Sequence, residues 1–205
     1  MKGLLLKDWY LITRSCRAFF LIDLIFIVGA LFLPGYSIFL AYPSLLAAVV
    51  PLTLYSCDER EKWHVYSGVL PVSRAQLVSA KYIVGLLCEA AVLLLTVVLH
   101  AAARFVLPGG AANDLIPVLI ASALSLVTPA LTLPLMFRLG AEKGRIGYII
   151  VVAGVCAVSV TLLNRDVTSL ARNITLSPAV LCAAALALYA ASWLLSIAMY
   201  KKREL

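Results

Sequence analysis

Along the chain, apolar side chains gather into long runs separated by short breaks that carry charge or Pro and Gly. A helix crosses a hydrocarbon core of about 30 Å in roughly 20 residues, and the runs predict spans near 18–33, 36–55, 82–106, 115–137, 146–163 and 178–200. Pro34-Gly35 turns the first run into the second, and Pro108-Gly109-Gly110 closes the third. The stretch 2–17 reads differently. Leu4, Leu5, Leu11 and Ile12 recur at helical spacing while Lys2, Lys7, Arg14 and Arg17 interrupt them. That pattern predicts an interfacial elbow helix, with Trp9 and Tyr10 at headgroup depth. The expected fold class is an all-α membrane protein: one transmembrane domain over 1–205, six helices, an N-terminal elbow and a connection at 58–81 between the second and third spans.

That connection holds most of the local signals. Asp58-Glu59-Arg60-Glu61-Lys62-Trp63-His64 is charged and compatible with helix, and Ser56 with Glu59 predicts a capping box at its start. Gly68 and Pro71 interrupt it. Ser73-Arg74-Ala75-Gln76 then predicts a second capping box, opening a helix that runs through Lys81 into the third span. A helix-turn-helix fixed to two spans can pass force from a cytoplasmic partner into the membrane. The plainer alternative is a solvated loop that only satisfies topology.

Composition agrees with the pattern: 63% of the 205 residues are hydrophobic and 13% charged, more apolar side chain than a soluble fold of this size can hide. The net charge of +7 first suggests nucleic acid, but the distribution of charge says otherwise. All of the 17 Lys and Arg except Arg104, Arg165 and Arg172 fall on one side of the predicted spans. By the positive-inside rule both termini lie in the cytoplasm of a plasma-membrane protein, and the basicity is topological, with no nucleic-acid partner. The five cysteines are scattered, with neither a disulfide framework nor zinc spacing. The basic start resembles a signal peptide, but no small-residue cleavage site follows Leu33, so the segment is expected to be retained.

Catalytic motifs are missing. Gly140-Ala141-Glu142-Lys143-Gly144-Arg145 lacks the order of a phosphate-binding loop, and no metalloprotease or nucleophile-elbow spacing occurs. The chain is expected to hold no cofactor or metal and to perform no catalysis. Charged groups inside a membrane are costly and therefore functional candidates. Glu89, about two turns into the third span, either lines a polar cavity or is a hydrogen-bonded packing residue. Asp23 is expected to pair with Arg14 or Arg17, and His100 to serve the outer interface. Pro43, Pro51, Pro117, Pro129 and Pro134 break backbone ladders in the second and fourth spans. Ser122, Ser125, Thr128 and Thr132 accompany the latter set, marking a pathway or a helix contact. No internal repeat supports an inverted-repeat transporter.

Several segments together resemble the permease subunits of type-2 ABC exporters, in particular the small six-span permeases that include the phenol-soluble modulin exporters. The segments are Met1-Lys2-Gly3-Leu4-Leu5-Leu6-Lys7-Asp8, Asp58–Trp63, Leu70-Pro71-Val72-Ser73-Arg74, Lys81-Tyr82 and Ser196–Glu204. The resemblance implies a dimer, most simply of two identical permeases, docked on two ATP-binding cassette subunits that bind ATP and Mg. It also implies a coupling helix over 58–68, in which Asp58, Glu59, Arg60, Glu61, Lys62, Trp63 and Tyr66 meet the ATPase. The resemblance further implies amphipathic or antimicrobial peptides as the substrate, while polarity and position, not the resemblance, make Glu89, Ser122, Ser125 and Thr128 the candidates to line the pathway. Two alternatives remain: a proton-coupled secondary transporter using Glu89, and a non-transporting membrane scaffold.

Overall fold

The computed structural model describes residues 2–32, 37–67, 73–106, 116–140, 147–154, 157 and 178–201, and among these there is no strand. Among the described residues the labelled helices are, in chain order, α1 (Lys2–Ser15), α2 (Arg17–Phe32), α3 (Ser37–Ala47), α4 (Val50–Arg60), α5 (Trp63–Ser67), α6 (Arg74–Val106), α7 (Ile116–Leu139) and α8 (Pro178–Lys201). Residues 147–154 are also helical. The predicted outer turns and the remainder of the fifth predicted span lie outside the described residues, as do Gly68 and Pro71.

Three stretches are long and apolar enough to cross a membrane: Arg74–Leu99, Val118–Leu139 and Val180–Tyr200. On the last of these, burial runs opposite to that of a soluble bundle. On α8 the inward stripe is Ala185, Tyr189, Ser192, Ser196 and Tyr200, while Leu181, Leu186, Leu188, Leu194 and Leu195 face outward. The stripe keeps helical spacing, but its polar members point in and its leucines point out. In lipid that is the stable arrangement, because hydroxyls need partners inside the protein and leucine does not. α7 is the central element, packed most extensively on α8 and then on α3.

Two features depart from the sequence expectation. The second predicted span is divided: α3 ends at Ala47, a turn covers Ala48 and Val49, and α4 starts at Val50. Pro51 falls at the start of α4, where its missing N–H costs nothing, and so marks a helix start instead of a kink. The Ser56–Glu59 capping box does not form. Ser56 is inside α4, and its hydroxyl donates to the Leu52 carbonyl (3.0 Å). The second box forms as expected. The Ser73 N–H donates to Gln76 Oε1 (3.0 Å), and the Gln76 N–H donates to Ser73 Oγ (3.2 Å). From that cap α6 runs 33 residues, about 50 Å at 1.5 Å per residue, longer than a hydrocarbon core is thick.

Candidate functional site

Helix α1 buries Leu4, Asp8 and Ile12, one residue per turn, and Cys16 just past its end continues the stripe. Four-residue spacing puts all of these on a single face. Asp8 is thus an acid on the apolar stripe of an amphipathic helix, only 2% exposed. Trp9 and Tyr10 lie on the exposed side. At Cys16 the chain bends into α2.

The charge that meets Asp8 comes from the second turn of α6. Lys81 Nζ donates to Asp8 Oδ1 at 2.6 Å and pairs with Asp58 Oδ2 at 2.7 Å. Asp58, in the last turn of α4, receives a second short contact from Lys7 Nζ, which also stands 3.6 Å from Asp8. Two ammonium groups and two carboxylates thus close a neutral quartet over α1, α4 and α6. The Lys81 side chain is 6% exposed. Burial of such charges is tolerable only when each is paired in good geometry. Trp63 of α5 completes the cluster with its ring 4.1 Å from Lys7 Nζ, a cation–π contact. Its indole nitrogen is buried without an acceptor. A cavity of about 100 Å³ adjoins the quartet, and Tyr55, Glu59, Phe137 and Tyr200 line it further.

Between α4 and α5 the chain reverses tightly. Glu61 and Lys62 form the turn, and Lys62 takes φ 52°, the left-handed conformation usual for a residue just past a helix end. The predicted coupling residues therefore divide. Asp58, Glu59 and Trp63 border the cavity, whereas Arg60, Glu61, Lys62 and Tyr66 are exposed around the turn.

A second polar region lies deeper, where α6 meets α7. Glu89 Oε1 accepts from Ser125 Oγ (2.7 Å), and that hydroxyl is also 2.8 Å from the Ser122 carbonyl. Ser122 Oγ donates to the Leu119 carbonyl (2.9 Å). The Thr128 carbonyl accepts from Thr132 Oγ (2.7 Å). Glu89, Ser122, Ser125 and Thr128 are all buried, and the structure joins Glu89 directly to Ser125. Asp23 corrects the sequence expectation: its Oδ1 is buried without a partner, and Arg17 instead donates to the Thr13 carbonyl of its own segment. The side chain of His100 lies outside those described.

The α6–α8 contact is a third polar element, missed in the sequence. The Tyr82 hydroxyl meets Ser192 Oγ (2.9 Å) and Ser196 Oγ (2.7 Å), and the Tyr189 hydroxyl donates to the Tyr82 carbonyl (2.9 Å). Pro134 cannot donate to the carbonyl of Ala130 four residues earlier, and Ser192 Oγ fills that place. Trp193 Nε1 donates to Ser79 Oγ at 3.0 Å.

Apolar outward faces, polar helix seams and three spanning stretches define an integral helical membrane protein. Its family is equally definite: residues 3–201 match the model of the ABC-2 family transporter proteins, and the chain belongs to that family. It is accordingly a membrane permease subunit of an ABC transporter, not itself catalytic, and the family implies an ABC ATPase as partner. No curated protein matches the sequence.

Proposed function

We propose that this permease is the membrane half of an ATP-driven exporter, with the α4–α5 corner as the coupling element that meets the ATPase. The observation that carries the reading is the Lys7–Asp8–Asp58–Lys81 quartet. It fastens the corner to α1 and to the first turns of α6, so a displacement at the corner is delivered to a helix long enough to span the membrane. Arg60, Glu61, Lys62 and Tyr66 form the contact surface, while Asp58 and Trp63 hold it in place from within.

In this reading the corner and both termini are cytoplasmic, six spans cross the plasma membrane, and α1 lies in the interface as the elbow. Two permease copies and two ATPase subunits make the working unit, with ATP and Mg held by the ATPase. The substrate is an amphipathic peptide of the kind handled by the phenol-soluble modulin exporters. The support for that choice is the resemblance of the terminal and 58–74 segments, together with a small permease whose seams are lined by hydroxyl groups. Charge reversal at Arg60, Glu61 and Lys62 combined with Tyr66→Ala tests the coupling role. The protein should still insert and bind detergent normally, while permease-dependent stimulation of the partner's ATP hydrolysis is lost. Undiminished stimulation would remove the corner from the mechanism.

A further inference from the structure

We propose that the end of α7 beyond Pro134 is a hinged lever, which α4 swings when the α4–α5 corner moves. The proposal rests on the coupling role given to that corner above. It adds a second route into the membrane, through the central helix α7 as well as through α6.

A proline inside a helix leaves the carbonyl four residues earlier without its backbone donor, and sharp bends fall at such places. α7 contains Pro134 close to its C-terminal end. Different helices hold the two sides of this break. On the N-terminal side Ser192 of α8 donates to the freed Ala130 carbonyl. Further up, Ser125 bonds Glu89 of α6 at 2.7 Å, and the Cys182 thiol of α8 lies 3.8 Å from the Leu119 carbonyl. The body of α7 is thereby pinned to α6 and α8. Pro129 makes another break in α7, but Ser125 and Ala130 tie the helix down on either side of it.

On the C-terminal side the grip comes from α4. The buried Tyr55 hydroxyl donates to the Met136 carbonyl at 3.0 Å, and the Tyr55 ring meets Phe137 edge-on with centroids 4.8 Å apart. Tyr55 stands about one turn before Asp58 on the same helix, so it moves with the corner that the quartet braces. The lever itself is well formed. Gly140 takes φ 83°, and its N–H closes on the Met136 carbonyl at 2.9 Å. Phe137 also touches Tyr200 of α8, with ring centroids 5.4 Å apart. That contact is apolar and has no preferred direction, so it can slide while the Tyr55 hydrogen bond pulls. At about 1.5 Å per residue Leu139 lies about 8 Å beyond Pro134, so a bend of about 20° displaces it by about 3 Å.

The test uses the complex of the permease with its ATPase. Spin labels are carried by a genetically encoded residue, which leaves the native cysteines in place, and labelled chains are diluted with unlabelled ones. Label pairs join Leu181 of α8 to Leu139 or to Leu131 of α7, all three of them exposed. Between the nucleotide-free state and the state trapped with ATP and vanadate, the Leu139 pair should shift by about 3 Å, while the Leu131 pair stays put. Pro134→Ala restores the backbone donor, so its melting temperature should equal or exceed that of the wild type and the ATPase should remain bound. The Leu139 shift should nevertheless be largely lost, which a purely structural role for Pro134 would not produce. Tyr55→Phe keeps the ring, removes the bond to Met136 and should also reduce the shift. Equal movement of both label pairs would overturn the hinge, and so would a full shift in Pro134→Ala. A static Leu139 in a complex whose ATP hydrolysis is stimulated by the permease would overturn it too. Each of these results leaves the coupling role of the corner standing. A complex with neither stimulated hydrolysis nor movement would overturn both readings.

Discussion

Replacing Lys81 by Met keeps the length and apolar stem of the side chain and removes only the ammonium group. In the native protein that group is held at 2.6 Å from Asp8 and 2.7 Å from Asp58, almost entirely out of water. The substitution leaves two acids facing one ammonium, that of Lys7, which lies 3.6 Å from Asp8. Breaking a buried pair by deleting one partner costs about 3–5 kcal/mol, because the other charge stays buried. In a chain of this size that corresponds to an apparent melting temperature lower by roughly 6–20 °C. Removing one charge of each sign restores the balance. Lys81→Met with Asp8→Asn should therefore recover a coupling of about 1–3 kcal/mol relative to the sum of the single variants. The assay is thermal unfolding of the three variants and the wild type in one detergent. Strict additivity would refute the claim that these groups act as a closed cluster.

Three other expectations follow from the same contacts. A methyl group at Gly85 would stand 2.8 Å from the Tyr189 hydroxyl and 3.2 Å from Pro51 Cγ. Gly85→Ala should therefore destabilise by about 1–3 kcal/mol, with partial relief in Gly85→Ala/Tyr189→Phe, measured by unfolding. Ser192→Ala strips a donor from the Ala130 carbonyl and a partner from Tyr82; it should cost about 1–3 kcal/mol, and less when Pro134→Ala returns a backbone donor, as a double-mutant cycle would reveal. Lys62→Gly relieves the left-handed backbone at the α4–α5 turn and should stabilise by about 0.5–1 kcal/mol, so an unchanged or lowered melting temperature would contradict the conformational assignment.

Legibility in the sequence followed the range of each interaction. The Ser73–Gln76 box is a three-residue matter, and both of its hydrogen bonds are present. The amphipathic start was readable from Leu4 and Ile12, and both are buried. Ser56–Glu59 had the same local form and failed, because α4 had already begun upstream at Val50 and the Ser56 hydroxyl was free to bond the preceding turn. Pro51 was the better signal, being a helix-start residue that was read as a kink in a continuous span. The quartet was out of reach, since Lys7 and Asp58 are 51 positions apart and Asp8 and Lys81 are 73. One clue was nonetheless available: an acid at position 8 falls on the same helical stripe as Leu4, Ile12 and Cys16, a place where a charge requires a partner. Asp23 failed in the opposite way. Arg17 was close in sequence, yet its guanidinium bonds the Thr13 carbonyl at the end of α1, and Asp23 Oδ1 is left buried without a partner.

A permease of this kind works through a separate ATPase, and affinity capture tests that dependence most directly. The tagged full-length protein is extracted from its native membrane in mild detergent and assayed for bound subunits and nucleotide hydrolysis. A stoichiometric ATP-binding subunit should be recovered, with hydrolysis that depends on the permease and falls when Arg60, Glu61 and Lys62 are reversed in charge. Recovery of the permease alone, without hydrolysis, would contradict the coupling role of the α4–α5 corner and turn attention to Glu89 as the carrier of a proton-driven cycle.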